Sequence, residues 1–200
     1  MSVLDSVEEI LSKMDPIQLY IILILGAKNL EPVKGRIWLQ KEFFLVAQHI
    51  DKIRGLLDYE PYLLGPWSES VDVALEQLQA SGLVKINGKI KLTKLGEKVY
   101  SIIRRKASKE TIKIVEQVKE DLNDLSEEEL LAYVYFLFPD EWSKESIKAR
   151  ELERKRIQLA IELYKKGKIS LGKAAEIANM KLHSFIKLLK ERGIEIPLEY

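Results

Sequence analysis

Eleven residues near the start of the chain, IQLYIILILGA at positions 17–27, leave it little freedom of fold. They are apolar on nearly every helical face, so the helix they form has to be the buried centre of a domain, with other elements packed around it. Asp15-Pro16 fixes where that helix starts, with Asp as N-cap and Pro at the first helical position, where its missing N–H is not needed. The run falls well short of the ~20 apolar residues that cross a bilayer. No cleavage site or lipidation motif precedes it, so no membrane partner is expected and the expected location is the cytoplasm. Asp5 with Glu8 three residues on predicts a short capped helix ahead of it, ending near Met14.

The chain then alternates helical periodicity with punctuation. Gly35 precedes a third predicted helix from Arg36 to about Asp51, with Leu39, Phe43, Phe44, Val46, Ala47 and Ile50 on a broad apolar face. The stretch YEPYLLGPWS, 59–68, is extended in character, because Pro61 and Pro66 bar a helix interior and Gly65-Pro66 marks a turn. Ser68 is the natural N-cap of the next helix, in which Val71, Ala74, Leu75 and Leu78 fall at i, i+3, i+4 and i+7. Gly82 ends it. Asn87-Gly88 then sets a hairpin with Val84, Ile86, Ile90 and Leu92 on one face and Lys85, Lys89 and Lys91 on the other. Thr93 caps a helix reaching about Lys106.

Residues 108–142 read as a helical connector. Ile112, Val115, Val118 and Leu122 form one stripe, and the capping box Ser126-x-x-Glu129 opens the aromatic-rich LLAYVYFLF, stopped by Pro139. That aromatic segment suits either a second small core or a subunit interface. From Trp142 to about Lys166 the pattern predicts one long, charged linker helix carrying Lys144, Lys148, Arg150, Arg154, Lys155 and Arg156, its first half exposed to solvent and its second half (Ile157, Ala160, Ile161, Tyr164) packed on the last domain. These basic residues suit phosphate contact or a salt-bridged surface. The predicted organisation is a domain over 1–107, the connector over 108–142, and a linker helix with a final domain over 143–200.

Composition narrows the function classes. With 46% apolar and 32% charged residues in 200, the chain is globular, not disordered. The absence of cysteine removes disulfides, thiolate catalysis and Cys-based zinc sites together. The two histidines, His49 and His183, have no ligand-like spacing, so neither a metal nor another cofactor is expected. No nucleophile–base pair or Gly-rich phosphate loop occurs, and the acidic pairs at 8–9 and 127–129 suit helix N-termini, so an enzyme is not expected. A Lys, Glu, Ile and Leu-rich, Cys-free chain fits a thermophile. The net charge of +1 hides an asymmetry: residues 144–200 hold 14 Lys+Arg against 8 Asp+Glu, while 1–143 hold 18 against 23. A basic end on an acidic body is the electrostatic footprint of a nucleic-acid-binding segment.

That basic end contains SLGKAAEIANMKLHSFIKLLKERG, 170–193, read as two short helices around a tight turn. Ala174, Ala175 and Ala178 are small, and Ala175 sits where two steeply crossing helices admit nothing larger than a methyl. Phe185 and Leu188 fill the second helix, and Asn179 occupies the turn position where glycine is usual. The spacing resembles the helix-turn-helix of DNA-binding regulators, which implies a supporting helix over 171–178 and a recognition helix over 181–192. On that resemblance Lys181, His183, Ser184 and Lys187 are the expected base contacts, and Lys168, Lys173, Lys190 and Arg192 the expected phosphate contacts. An additional apolar stripe, Leu182, Ile186 and Leu189, favours a bound protein surface instead.

Two wider resemblances frame this. The segments GRIWLQKEFF, YEPYLLGPWS and LTKLG, within residues 15–105, resemble winged-helix domains of uncharacterised prokaryotic regulators, with Trp67 where Tyr is usual. The helix that would read DNA in such a domain carries Glu69, Asp72 and Glu76 and no Lys or Arg, which argues for assembly or partner binding there. The wing lysines, Lys85, Lys89 and Lys91, remain candidate phosphate contacts. The end of the chain, LYKKGKISLGKAAEIA followed by F-x-x-LL-x-x-RGI and the strand-like IEIPLEY, resembles uncharacterised protein family 0175 over about 157–200. Its members are often labelled antitoxins or regulators. The expected fold is therefore mainly α with a small β-hairpin, a winged-helix N-terminal domain and a C-terminal helix-turn-helix domain joined by helices. The expected partners are double-stranded DNA, a second copy in a homodimer, and, in the alternative, a toxin-like protein.

Overall fold

A computed structural model describes residues 3–196, with side chains from residue 8. The fold is mainly helical with one two-stranded antiparallel sheet. It divides into two compact units, Met1–Glu60 with Pro66–Asp124, and Pro61–Gly65 with Leu125–Tyr200. No helix among the described residues is long and apolar enough to cross a membrane.

The first unit is built around α2 (Pro16–Leu30), whose Ile21–Ala27 are all buried. Asp15 accepts from Gln18 N at 2.9 Å while Gln18 Oε1 accepts from Asp15 N at 3.2 Å, a reciprocal cap stronger than the Asp alone promised. Helix α1 (Val3–Ser12) precedes it; its backbone is already helical at Asp5, so the expected cap at that position is not the helix start. Packed on α2 are α3 (Arg36–His49), α5 (Glu69–Ala80), α6 (Lys94–Lys106) and α7 (Lys109–Leu122). Helix α7, expected as a connector, instead buries Val115, Val118 and Leu122 against α2 and α3. The helix expected from Arg36 to about Asp51 ends at His49, and a short α4 (Asp51–Arg54) follows it.

The hairpin of β1 (Val84–Asn87) and β2 (Lys89–Leu92) has the expected register, Val84 opposite Leu92 and Ile86 opposite Ile90, with Gly88 at φ +68°. Val33 extends it, exchanging both backbone hydrogen bonds with Ile90 at 2.8 and 2.9 Å. Lys85 and Lys91 face each other across the ladder and, with Lys89, are exposed.

Two buried polar arrangements hold this unit together. Gln40 on α3 pairs with the backbone of Ser68, donating to its carbonyl at 2.9 Å and accepting from its N–H at 3.1 Å. Lys41 donates to Pro66 O at 2.8 Å; no carboxylate reaches it, and burial pushes its ammonium down to about 7. Ser68 also accepts from Val71 N as N-cap of α5 and donates to Asp58 at 2.6 Å. The LQK and GPWS segments are thus two halves of one clamp. The second arrangement closes α2, where Ala27 turns extended and Lys28, Asn29 and Leu30 stand at φ 52°, 55° and 65°. Three left-handed non-glycine residues cost about 1–2 kcal/mol each, and α7 supplies the compensation. Lys28 N donates to Glu116 at 2.7 Å, and Lys119 Nζ donates to the carbonyls of Ile24 (2.9 Å), Leu25 (3.4 Å) and Glu31.

The second unit begins with α8 (Glu127–Leu137), opened by the expected Ser126–Glu129 capping box. Its buried apolar side chains are Leu130, Leu131, Ala132 and Val134, while Tyr133, Tyr135, Phe136 and, just past its end, Phe138 are half-buried. The expected single linker helix is two helices, α9 (Ile147–Arg154) and α10 (Arg156–Lys165), bent at Lys155. The expected packing of the second half holds at Ala160 and Ile161, joined by Leu159 and Leu163, while Ile157 is exposed; the first half is not bare, since Trp142, Ala149 and Leu152 are buried too. The 61–65 segment joins this unit through Ser143 N donating to Tyr62 O at 3.1 Å and Ser146 Oγ donating to Leu63 O at 2.6 Å. Two short helices, α11 (Leu171–Ile177) and α12 (Leu182–Glu191), complete the unit.

Candidate functional site

The α11–α12 pair is built on a repeated device. After α10, α11 and α12 the chain enters the left-handed region once, at Gly167 (φ +69°), Asn179 (φ +53°) and Gly193 (φ +66°). Each time the next two N–H groups close the helix in the same pattern. Met180 N donates to Ala175 O and Asn179 N to Glu176 O, both at 2.9 Å, as Ile194 and Gly193 do to Leu189 and Lys190. Asn179 therefore does the work of a glycine while carrying a Cβ. We expect Asn179→Gly to raise stability by about 0.5–1 kcal/mol, read as a higher midpoint in urea unfolding, with Asn179→Val moving it the other way.

Around this turn lies a small core of Ala160, Ile161, Ala174, Ala175, Ile177, Ala178, Phe185 and Leu189, with Met180, Leu188 and Ile194 partly buried against it. Ala174 and Ala175 lie in it at 0% and 3% exposure, as a tight helix crossing requires. Leu189 is the buried residue of α12 and Leu188 the half-buried one, the reverse of the sequence expectation. The apolar surplus on α12 therefore reduces to Leu182, 49% exposed, and the half-buried Ile186. Arg156 reaches from α10 to the end of α11, where its Nε donates to Ile177 O while its Nη1 pairs with Glu153 at 3.2 Å. It closes an orphan carbonyl and is committed to the fold.

The side chains expected to touch DNA divide into separate groups. Lys181 is the N-cap residue of α12; it and His183 are exposed, and Ser184, half-buried, has its Oγ 3.2 Å from His183 Nε2. Lys187, 80% exposed, lies 3.8 Å from Glu191, a loose surface pair worth little. These four lie between the N-cap of α12 and its sixth residue. Lys168 and Arg192 belong to the other end, where with Lys165, Ser170 and Glu195 they line an open groove of about 940 Å³. A ten-residue helix is ~15 Å long, so Lys181, His183 and Ser184 lie at the opposite end of α12 from Arg192, with Lys187 between them. Lys173 is half-buried and tied to Glu176 at 2.8 Å. Lys181, Lys190 and Arg192 make no ion pair with another described residue. Of the IEIPLEY tail, 194–196 form no strand, and 197–200 lie outside the described residues.

In the first unit, Arg36 pairs with Asp72 at 3.1 Å and with Glu76 at 3.3 Å. Two of the three carboxylates on α5 are thus partly offset by the Arg of the GR-x-x-LQK segment. Among the described residues no group of three or more His, Cys, Asp or Glu side chains is placed to hold a metal ion.

Comparison with known proteins falls on the second unit. A family model described as "Uncharacterised protein family (UPF0175)" matches residues 132–200, beginning inside α8 and so reaching further back than the 157–200 expected. A UPF0175 protein of Archaeoglobus fulgidus is 41% identical over 68 residues, which cover 34% of this chain and 76% of that relative. A UPF0175 protein of Aeropyrum pernix is 49% identical over 51 residues, covering 25% of this chain and 55% of that relative. Through its C-terminal region, the chain belongs to uncharacterised protein family UPF0175.

Proposed function

We propose that the protein is a DNA-binding transcriptional regulator in which α11 and α12 form a helix-turn-helix and α12 enters the major groove. The observation that carries this reading is the exposed side of α12 from its N-cap to Lys187. Lys181, His183 and Lys187 stand exposed there on a helix whose inner face is locked by Phe185 and Leu189. A rigid helix presenting exposed cations and a short polar side chain at its N-terminal end is the geometry of base-edge readout. Between Ser170 and Gly193 the chain has five basic and two acidic residues, which favours approach to phosphates.

On this reading the first unit, with its helix–helix–helix–hairpin–helix order, is a winged-helix module that serves assembly of a homodimer. Paired reading heads multiply affinity. Helix α5 offers Glu69 and no free cation for a groove, while Lys85, Lys89 and Lys91 on the hairpin are available for backbone phosphates.

Fluorescence anisotropy with the DNA upstream of the protein's own gene, across a salt series, tests the proposal. Lys181→Ala with Lys187→Ala is expected to weaken binding ~10–100-fold and to reduce preference over random DNA. Binding by the parent no tighter than to random DNA at moderate salt would reject base reading by α12.

A second reading, an antitoxin or adaptor that holds a protein partner, is favoured by one observation. Leu182 is 49% exposed, and Ile186 is not among the side chains packed on the α11–α12 core. Purification from the native organism separates the two readings: a stoichiometric partner supports the adaptor, and a lone homodimer with DNA affinity supports the regulator.

A further inference from the structure

The basic run over 144–156, uniform in sequence, is not uniform in the structure. Lys148 is held by Glu128 and Glu151, Lys155 by Glu128 at 2.8 Å, and Arg156 by Glu153. Lys144, Arg150 and Arg154 are exposed and make no ion pair with another described residue. These three line one groove of about 470 Å³ on the second unit, with Tyr135, Pro139, Trp142 and Ala149 also on its walls. The sorting is therefore spatial as well as electrostatic.

We infer that this groove is a second nucleic-acid contact, a seat for phosphodiester groups of the duplex that α12 reads. The inference rests on the DNA-binding reading and extends it to a surface made by α9 and the loop before it. Arg150 and Arg154 are one helical turn apart, ~6 Å along the axis, so two guanidinium forks face the same way. Guanidinium is weakly hydrated and matches phosphate oxygens in pairs, which makes unpaired arginines better phosphate seats than paired lysines. The groove's wall is aromatic, Tyr135 meeting Trp142 edge-on at 5.3 Å, and low-dielectric walls focus the field of the cations. Glu153 also lines the groove. Its carboxylate accepts from Tyr135 OH at 3.0 Å and pairs with Arg156 at 3.2 Å, so its charge is partly offset. Phosphate contacts carry position and affinity but no sequence information, a division of labour with α12.

The test is Arg150→Ala with Arg154→Ala in the full chain, measured by anisotropy on the upstream duplex and on random duplex across salt. Affinity is expected to fall ~10–100-fold on both, leaving their ratio unchanged, and the slope of log K against log salt to shrink by ~2. An unchanged slope with affinity within about twofold of the parent would overturn the inference. A loss confined to the upstream duplex would overturn it too, since phosphates do not discriminate. If the parent binds neither duplex, the regulator reading fails by itself, and the groove is judged by the salt needed to elute parent and variant from heparin. Earlier elution of the variant sustains an anion groove, and identical elution removes it. Both side chains are exposed, so melting should match the parent and exclude misfolding as the cause.

Discussion

Lys119→Met is expected to lower stability by about 2–4 kcal/mol. Lys119 is 1% exposed, and its ammonium is the donor for three carbonyls at the end of α2: Ile24, Leu25 and Glu31. Met matches its length but cannot donate, leaving those carbonyls without their partner beside the strained Lys28–Leu30 turn. Burial drives the Lys119 ammonium down, while Glu42, Glu31 and Glu116 push it back up. Glu42 faces the same position from α3, fully buried, and neither carboxylate oxygen has a hydrogen-bond partner among the described groups.

Burial pushes the Glu42 carboxyl up to about 8 from an ordinary 4.5, only partly opposed by Lys119. Because the folded value is raised, the stability linked to this proton is complete below pH 4.5 and is lost as pH rises through 8. Lys119→Met also removes the charge that opposes the upward push on the Glu42 carboxyl, so Glu42 holds its proton more tightly in that variant. A companion variant, Glu42→Gln, keeps the shape without the titration. Urea midpoints from pH 5 to pH 7, below the range where the lowered Lys41 ammonium acts in the opposite sense, should fall for the parent and for Lys119→Met, and fall less for Glu42→Gln. A Lys119→Met midpoint equal to the parent's at every pH would mean that the α2 carbonyls find other donors and the clamp is not structural.

What the sequence could and could not disclose follows from how far apart the partners lie. Asp15, Ser68, Thr93, Ser108, Ser126 and Ser170 each accept from an N–H three residues on, so a local pattern suffices to place them. The hairpin register was equally local, because alternation and Asn87-Gly88 leave one pairing that buries Val84, Ile90 and Leu92. Asn179 was legible as a left-handed turn because few other residues tolerate that region. The α2 closure was not legible, since its donor Lys119 is 95 positions from Ile24 and a buried lysine looks like any other in sequence. The Gln40–Lys41 clamp on Pro66 and Ser68 was visible only as letters in a resemblance. At the candidate site the exposed group on α12 was foreseen from helical phase, but phase alone could not decide between Leu188 and Leu189. Nor could charge counting reveal that Lys155 and Arg156 are committed to carboxylates while Arg150 and Arg154 are not.

Gly96→Ala is the second large effect, and it shows why a glycine in a resemblance need not bear on chemistry. A Cβ at position 96 would stand 2.1 Å from Leu83 O and 3.1 Å from Leu83 C. The obstacle is backbone and cannot swing aside. Leu83 O accepts from Thr93 N at 3.0 Å and from Thr93 Oγ1 at 3.3 Å, and Leu83 N donates to Leu78 O at 3.0 Å. Thr93 Oγ1 in turn accepts from Gly96 N at 3.1 Å as the N-cap of α6, so moving the helix away breaks the cap that starts it. Overpacking against a fixed carbonyl is expected to cost about 3 kcal/mol or more, a fall in melting temperature of roughly 6–12 °C. Gly172→Ala is the matched control, because its Cβ would meet nothing nearer than Ser170 Oγ at 4.0 Å. It lies within α11, where alanine is the better helix former by ~0.5–1 kcal/mol, so that variant should melt slightly higher. If both variants melted like the parent, close approach would not be the reason for a glycine four residues into LTKLG. If only Gly96→Ala falls, that segment is the seat of α6 on the hairpin, and the search for chemistry belongs to α9 and α12.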